Sequence, residues 1–292
     1  MSLSAPVPVS VIVMTRNEAA NIGVCLESVR AFAEVIVVDS ASGDGTADLA
    51  AAAGARVVPF SWNGRYPKKK QWCLENLTFA HDWVLYLDAD EQMTPELEAE
   101  IRMLMRTGPA HAGYYLGARV SFLGRRLRFG VQHSKLALFD RRQAYYRDCP
   151  DQDVATMWEV EGHYQPELAG RAGRLTALLR HEDAKPVFSW LDRHNRYSDW
   201  EAALRPDGRL LAMAAGEGVR RKALKWLVDR APARPLLAFL HCYLWRLGFL
   251  DGKAGFHHAV ARAFYYWQVE IKVLERAALT RCKTPLRCHQ GP

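Results

Sequence analysis

Residues 9–106 alternate four times between a short apolar run and a segment of helical pattern. The apolar runs are VSVIVMT (9–15), AEVIVVDS (33–40), ARVVPF (55–60) and DWVLYLD (82–88). They are short and rich in β-branched residues, which is typical of strands that are buried on both faces. Strands that alternate with helices in this way form a parallel sheet with helices on both faces. The fold class predicted for this part of the chain is therefore α/β.

The segments between and after these runs carry helix signals. They are residues 17–32, 42–54, 67–81 and 94–105. Pro67 is acceptable in the first turn of a helix. Thr94 is a good N-cap, and the proline and acidic residues that follow it are typical of a first helical turn.

After residue 106 the pattern changes. Residues 113–146 contain apolar alternation with glycine turns, which predicts antiparallel strands that extend the sheet. Residues 150–204 are predicted to be mostly helical or irregular. The predicted organisation is a sheet domain over residues 1–204, with halves 1–106 and 107–204, followed by a helical region over residues 205–292.

The C-terminal helical region is predicted to break at Pro232, at Pro235 and between Gly248 and Gly255. Its last helix places large apolar side chains on one stripe. These are Val260, Phe264, Trp267, Ile271 and Leu274. We expect such a stripe to face a partner or the body of the protein.

The net charge of +7 is concentrated at the C-terminal end of the chain. Residues 205–292 contain 16 Lys and Arg against 6 Asp and Glu, whereas the preceding residues are mildly acidic. A basic region suggests an anionic partner, either nucleic acid or an anionic membrane surface. We find no nucleic-acid-binding motif, so nucleic acid is the least supported partner. The N-terminus shows no signal-peptide pattern, and six scattered cysteines fit reduced thiols in a cytoplasmic protein.

The stretch from Val219 to Leu250 combines clustered basic residues with a bulky apolar run. This composition is typical of a segment that lies in a membrane interface. Trp226, Tyr243 and Trp245 suit the headgroup level. An equally good interpretation is an ordinary helical subdomain whose apolar faces pack on the body or on a second subunit.

Polar side chains follow three of the four predicted strands at their carboxyl ends. Residues 15–18 follow the first strand, Asp39 and Ser40 the second, and residues 88–91 the fourth. Ligands of parallel α/β sheets bind beyond this edge. The sequence therefore predicts one ligand site at the carboxyl ends of these strands.

The acidic stretch Asp88–Ala89–Asp90–Glu91 needs a neutralising partner because its charges repel one another. Residues 88 and 90 face the same side of an extended chain. Carboxylate oxygens select Mg²⁺ or Mn²⁺, which also bind phosphate, so we expect a divalent cation here. The alternative is an acidic helix N-terminus, since a helix is predicted to begin at Thr94.

The order of these motifs resembles family 2 glycosyltransferases of the GT-A type. The motifs are TRNE (15–18), VVDSASGDGT (37–46), PKKKQW (67–72) and DADE (88–91). Residues 193–202 and 248–275 are similar to the C-terminal region of bacterial members that build lipopolysaccharide core and exopolysaccharide. The resemblance implies a GT-A fold, with a Rossmann-like mixed sheet flanked by helices and a helical C-terminal appendage.

The resemblance also implies a role for each motif residue. Thr15, Asn17 and Glu18 would line the nucleotide pocket, with Arg16 near the phosphates, Asp39 on the base or ribose, Lys70 near the diphosphate, Asp88 on the sugar or ribose and Asp90 on the metal. The family inverts the anomeric carbon by direct displacement, assisted by a metal ion and by a carboxylate base. Candidates for the base are Asp151, Asp153, Glu159, Glu161, Glu167 and Asp183. We assign the base to Glu161, with Asp153 as the second catalytic candidate.

The predicted function is transfer of a sugar from a nucleoside diphosphate sugar, of the UDP type, to a lipid-linked or lipopolysaccharide-core acceptor. Such an enzyme would work in the cytoplasm, on the inner face of the cytoplasmic membrane. Two other hypotheses use the same residues. One is a nucleotidyltransferase, which would release pyrophosphate, and the other is a catalytically inactive membrane scaffold.

Overall fold

The computed structural model describes residues 5–154, 159–161, 165–206, 208–210 and 233–283, with side chains up to residue 279. The strands are β1 (Val7–Thr15), β2 (Phe32–Asp39), β3 (Arg56–Pro59), β4 (Trp83–Asp88), β5 (Glu91–Gln92), β6 (Gly113–Phe122), β7 (Arg125–Arg126), β8 (His133–Asp140), β9 (Ala144–Tyr145), β10 (Glu167–Leu168) and β11 (Ala172–His181). The helices are α1 (Ile22–Ser28), α2 (Thr46–Ala52), α3 (Lys69–Asn76), α4 (Pro95–Thr107), α5 (Val187–Leu204), α6 (Arg234–Leu240) and α7 (Gly252–Lys283).

The described strands form a nine-stranded mixed sheet. Its order is β3-β2-β1-β4-β8-β6-β11-β5, with β7 paired to β6, and β9 and β10 form a separate pair. The four strands predicted in the first hundred residues are all present, and β1, β2, β3 and β4 are parallel. The predicted antiparallel extension is confirmed, because β8 runs antiparallel to both β4 and β6.

The register of the parallel strands aligns their polar ends. Thr15 is opposite Asp39, and Met14 is opposite Asp88. The carboxyl ends of β1, β2 and β4 therefore lie at one edge of the sheet.

The core lies on both faces of the parallel strands. Val11 and Val13 of β1 face one apolar cluster, whereas Ile12 and Met14 face the other, and all four side chains are buried. Complete burial of one such side chain contributes about 1.5–3 kcal/mol. This two-sided burial explains why the strands read as nearly continuous apolar runs.

Two helices are shorter than the sequence predicted. Helix α1 begins at Ile22 and not at residue 17, because Asn17 has a φ of 55° and a turn on the Glu18 carbonyl precedes the helix. Helix α3 begins at Lys69, since Lys68 is still extended with a ψ of 177° after the cis Tyr66–Pro67 bond. In both places the chain turns at the edge of the sheet where the ligand site is predicted, before the helix begins.

The prediction for residues 150–204 missed two strands, the short β10 and the ten-residue β11. Strand β11 pairs in parallel with β6 in the middle of this segment. Its two fully buried apolar residues, Leu175 and Leu179, are four positions apart, a spacing that also fits a helix. Residues 172–181 form a strand because they pair with the edge of β6.

The helical region follows α5, which ends at Leu204, and α7 packs against α5. Pro235 lies in the first turn of α6, which begins at Arg234 directly after Ala233, whose φ of 66° is not helical. The chain does turn between Arg246 and Asp251, but Gly255 lies within α7. The predicted break at Pro232 lies outside the described residues, and the division into domains stays a prediction.

No helix in the described ranges has the length and hydropathy required to cross a bilayer.

Candidate active site

The ends of β1 and β2 form a hydrogen-bonded pair. The Thr15 hydroxyl donates to Asp39 Oδ1 at 2.8 Å, and the Ser42 backbone N–H donates to Asp39 Oδ2 at 2.9 Å. Burial raises the pKa of Asp39, but the hydrogen bonds from Ser42 and Thr15 outweigh it and lower the pKa overall. Asp39 is therefore an ionised acceptor held in one orientation.

The loops after β1 and β2 are bonded to each other. The Asn17 N–H donates to Ser42 Oγ at 2.8 Å, and the Gly43 N–H donates to Asn17 Oδ1 at 2.9 Å. The Ala19 N–H donates to Asp44 Oδ2 at 3.0 Å. These bonds hold the two loops against each other at the sheet edge.

Two residues of the TRNE motif have partners of their own. Lys185 Nζ donates to Glu18 Oε1 at 2.5 Å, and Asn21 Nδ2 donates to Glu18 Oε2 at 2.8 Å. Burial raises the pKa of Glu18 despite these bonds. Arg16 is exposed and lies 3.8 Å from a carboxylate oxygen of Glu159.

Lys69 is the lysine that reaches the ends of β1 and β2, a position that sequence reasoning missed. Its Nζ donates to the Thr15 carbonyl at 2.9 Å and to Ser40 Oγ at 2.7 Å. Only 1% of its side chain is exposed, and burial lowers its pKa to about 8. Three consecutive lysines at a helix start give no sequence signal that singles out the middle one.

Lys70, the lysine preferred from sequence, lies beside the acidic stretch. Burial lowers its pKa, although the Asp88 carboxylate opposes this shift. Its Nζ donates to the Glu161 carbonyl at 3.1 Å. Lys68 instead forms a buried ion pair with Asp151 at 2.6 Å.

Lys135 of β8 neutralises Asp88 and Glu91. Its Nζ lies 2.9 Å from Asp88 Oδ2 and also contacts Glu91 Oε2. Burial disfavours the charge on Asp88, but the ammonium groups of Lys135 and Lys70 hold its pKa well below the usual range. No sequence motif marked Lys135, because it arrives through the antiparallel strand beside β4.

Asp90 has two cationic neighbours from the second half of the sheet domain. His181 Nε2 lies 3.2 Å from Asp90 Oδ2, and Arg193 Nη1 lies 3.7 Å from the same oxygen. Burial lowers the pKa of His181, but the carboxylates of Asp90, Glu91 and Asp88 outweigh it and raise the pKa to about 9. Side-chain cations therefore neutralise the acidic stretch in this structure.

The donor set of this edge fits a divalent cation. Oδ1 of Asp88 and Oδ1 of Asp90 have no protein partner among the described residues. Within those residues no three His, Cys, Asp or Glu side chains are arranged to hold a metal together. Mg²⁺ is usually held by one or two carboxylates with substrate phosphates and water, which this pair of oxygens can provide.

The two candidate bases have different surroundings. Both carboxylate oxygens of Glu161 accept backbone bonds at the start of α3, from Lys70 N at 2.7 Å and Gln71 N at 3.0 Å. This geometry favours helix capping. Asp153 is largely exposed and pairs with Arg209 at 2.6 Å. Their assignment as bases stays a prediction.

Comparisons with known proteins agree with this architecture. The sequence model of the family described as Glycosyl transferase family 2 matches residues 10–155. The chain is 27% identical over 284 residues to the lipopolysaccharide core biosynthesis glycosyltransferase LpsC of Rhizobium meliloti (strain 1021), a match that covers 93% of this chain and 94% of that protein. It is 24% identical over 261 residues to a glycosyltransferase of Rickettsia typhi (strain ATCC VR-144 / Wilmington), covering 88% of this chain and 83% of that protein.

A solved structure shares the fold. The mannosyltransferase of Pyrobaculum calidifontis in complex with GDP-Man and Mn²⁺ is similar with a TM-score of 0.51, covering 93% of this chain and 88% of that chain at 17% identity. The GT-A type of fold expected from sequence is thereby confirmed.

Proposed function

Because this chain belongs to glycosyltransferase family 2, we propose that it moves a sugar from a UDP-type nucleoside diphosphate sugar to a lipid-linked or lipopolysaccharide-core acceptor, with inversion at the anomeric carbon. One observation carries the proposal. The register of β1, β2 and β4 brings Thr15, Asp39 and the Asp88–Asp90 pair to one edge of the sheet.

The first part of this edge suits a nucleoside. Asp39 is ionised and accepts hydrogen bonds, so it can take a donor from a ribose or a pyrimidine base. The bonded loops around Asn17 and Ser42 reduce the ordering cost of binding. Lys69 and Lys70 place positive charge between the pocket and the acidic stretch, where a diphosphate would lie.

The second part suits the departing diphosphate. Asp90 would hold the Mg²⁺ or Mn²⁺ ion, which would neutralise the charge that develops on that group. Lys135 keeps Asp88 ionised, and His181 and Arg193 orient Asp90. Three residues of the half 107–204 thus hold the carboxylates of the half 1–106.

Glu161 is the proposed base, and its bonds to α3 set a condition on that role. A carboxylate has about four lone-pair directions, of which two are taken by backbone amides. An acceptor hydroxyl must therefore reach one of the remaining directions. Asp153 is the second proposal for the same step.

The acceptor proposal draws on the relative and on the surface of the helical region. The relative from Rhizobium meliloti acts in lipopolysaccharide core biosynthesis, and the match covers most of both chains. Large apolar side chains are exposed in the segment 236–250, which we call the apolar tip. They are Leu236, Leu237, Leu240, Leu244, Trp245, Leu247, Phe249 and Leu250. We propose that this tip contacts the inner face of the cytoplasmic membrane, where a lipid-linked acceptor is presented.

The test is calorimetric binding of UDP, GDP and dTDP with and without Mn²⁺, followed by release of the diphosphate from the matching sugar nucleotide. We expect UDP to bind in a Mn²⁺-dependent way to the wild type and to an Asp192→Asn control, and not to Asp90→Asn. Asp192 is an exposed carboxylate of α5 that pairs with Arg196. Binding of no diphosphate, or Mn²⁺-independent binding, would sink the proposal.

A further inference from the structure

An open cleft of about 270 Å³ lies between the loop of residues 128–132 and the turn of residues 245–247. Arg128, Gln132, Trp245 and Arg246 line it. None of these residues belongs to the motifs of the nucleotide site. The cleft combines side chains that recognise an anion with side chains that recognise a sugar.

The cleft carries unbalanced positive charge. Neither the Arg128 nor the Arg246 side chain has a carboxylate partner among the described residues. Asp251 is the only acidic residue between positions 233 and 256 of the sequence. Its carboxylate accepts the backbone N–H groups of Arg128 at 3.0 Å and Phe129 at 2.9 Å and is buried. Two guanidinium groups therefore remain available, and guanidinium matches phosphate geometry.

The cleft also has an acceptor without a donor. Gln132 Nε2 donates to the Phe129 carbonyl at 2.8 Å, which leaves its Oε1 as a buried oxygen with no hydrogen-bond partner. Such an oxygen requires a donor, and a sugar hydroxyl is one. Trp245 is 82% exposed, so its ring offers a flat apolar surface and an N–H donor to a bound sugar.

The cleft is preformed. The Gly130 N–H donates to the Arg246 carbonyl at 2.8 Å, which ties the loop to the turn. Gly130 has a φ of 76°, and a Cβ there would lie 3.4 Å from Cys242 Sγ, so the two segments approach closely. The backbone of the cleft therefore needs little ordering when a ligand enters, and the Gln132 side chain must shift to expose its buried Oε1.

The cleft shares neighbouring residues with both the candidate active site and the apolar tip. Gln132 precedes His133, whose ring centroid is 6.0 Å from that of His181, and His181 contacts Asp90. The cleft is also lined by Trp245 and Leu247, two exposed residues of the apolar tip. A group bound in the cleft therefore contacts the surface proposed to meet lipid, and it contacts Gln132, which is one residue from the His133–His181 pair beside Asp90.

We propose that this cleft is an acceptor subsite that binds a phosphate-bearing sugar. The phosphate pairs with Arg128 and Arg246, and the sugar ring lies on Trp245 with a hydroxyl that donates to Gln132 Oε1. This inference rests on the proposed function, because it supplies the acceptor for that reaction. The same cationic groups could meet a phosphate from a sugar or from a lipid headgroup, and the experiment separates these sources.

The probes are glucosamine 1-phosphate, glucosamine and inorganic phosphate, measured by calorimetry on the full chain. Glucosamine 1-phosphate is expected to bind at least fivefold more tightly than either of the other two. Arg246→Gln and Trp245→Leu are expected to weaken it at least fivefold. Arg125→Gln is the matched control, since Arg125 is an exposed arginine of the neighbouring hairpin outside the cleft, and it should change the affinity less than twofold.

Four results would overturn the inference. Equal affinity for inorganic phosphate would reduce the cleft to an anion site. No binding of glucosamine 1-phosphate, or binding that Arg246→Gln and Arg128→Gln leave unchanged, would remove the subsite. Sedimentation with phosphatidylglycerol vesicles that depends on Arg246, without any sugar phosphate binding, would assign the cleft to a lipid headgroup.

UDP binding with Mn²⁺ is measured on the same variants and separates the two proposals. If sugar phosphate does not bind and UDP does, the acceptor subsite is refuted and the proposed donor reaction is not. Sugar phosphate binding without UDP binding would leave the cleft in place and refute the proposed donor reaction.

Discussion

The parallel part of the sheet and the C-terminal helical region differ in how far their apolar side chains are exposed. In β1 and in residues 84–87 of β4 the large apolar side chains are almost fully buried, whereas in the apolar tip (236–250) eight large apolar side chains are 38–82% exposed. Large contiguous apolar patches on a surface mark interaction sites. The sheet buries its apolar residues in its own core, whereas the helical region leaves many of its own exposed, which is why we propose a partner surface there.

The two regions also differ in how their charges are paired. At the sheet edge the carboxylates of Asp88 and Asp90 have cationic neighbours. In and beside the apolar tip, Arg246 and Arg128 have no carboxylate partner among the described residues. The charges of the sheet edge are thus largely paired within the protein, whereas these two arginines are not.

The largest expected effect is a loss of activity on substitution of Asp90, at the sheet edge, with no effect on the cleft. Asp90→Asn should reduce kcat/KM by on the order of 10³-fold. The metal ion would stabilise the charge on the departing diphosphate by several kcal/mol, and each 1.36 kcal/mol lost from that stabilisation lowers the rate about tenfold. Sugar phosphate binding in the cleft should be unchanged, which calorimetry on the same variant checks. Activity within tenfold of the wild type would show that Asp90 does not hold the metal.

A pair of leucines tests the difference in burial directly. Leu85→Ala in β4 should lower the free energy of unfolding by about 2–5 kcal/mol, since it leaves a cavity in the core. Leu250→Ala in the apolar tip should change it by less than about 0.5 kcal/mol. Urea unfolding measures both.

The Leu250 variant has a second readout. Its sedimentation with phosphatidylglycerol vesicles should fall, because apolar area at a membrane contact is lost. A large loss of stability in Leu250→Ala would mean that the tip packs within the protein, which would remove the contrast between the two regions.

The buried ammonium of Lys69 makes the sheet edge sensitive to alkaline pH. Its folded pKa of about 8 lies below the ordinary value of 10.5, so the unfolded chain binds more protons between these values. Stability then rises with pH in this window, because the cost of keeping the buried charge disappears. Relative to Lys69→Met, the wild type should gain about 2–3 kcal/mol between pH 7 and pH 10.

The measurement is urea unfolding of both proteins at the two pH values. Lys253→Met, at an exposed position of α7, is the control and should show no such change. A constant difference between the wild type and Lys69→Met would place the pKa of Lys69 near its ordinary value.

The smallest of the large stability effects concerns Glu161, and the kinetics of the same variant decide between a capping role and the proposed role as base. Glu161→Gln replaces one acceptor oxygen at the start of α3 with a donor, so unfolding should become easier by about 1–2 kcal/mol. A capping role predicts kcat within tenfold of the wild type, whereas a general base predicts a loss of about 10²–10⁴-fold. Steady-state kinetics on folded protein, with the exposed Glu27→Gln as control, distinguishes them.

The sequence predicted most of the fold's first half because the signals there are local. Runs such as VSVIVMT are short and rich in β-branched residues, which favours a buried strand. Thr94 with Pro95 marks the start of α4 within one turn. The strand β11 was missed because its apolar spacing is ambiguous and its pairing with β6 is remote in sequence. Local pattern cannot decide a strand whose pairing edge comes from distant residues.

The sequence by itself determined the parallel strands, the carboxylates at their ends and the basic character of the C-terminal region. Only the tertiary structure brought Lys135 and His181 to those carboxylates and chose Lys69 for the ends of β1 and β2. It also placed Arg246 beside Arg128 and left the oxygen of Gln132 without a donor. The reason is that strand periodicity and turn chemistry act over a few residues, whereas charge neutralisation and cleft formation depend on which distant segments pack together.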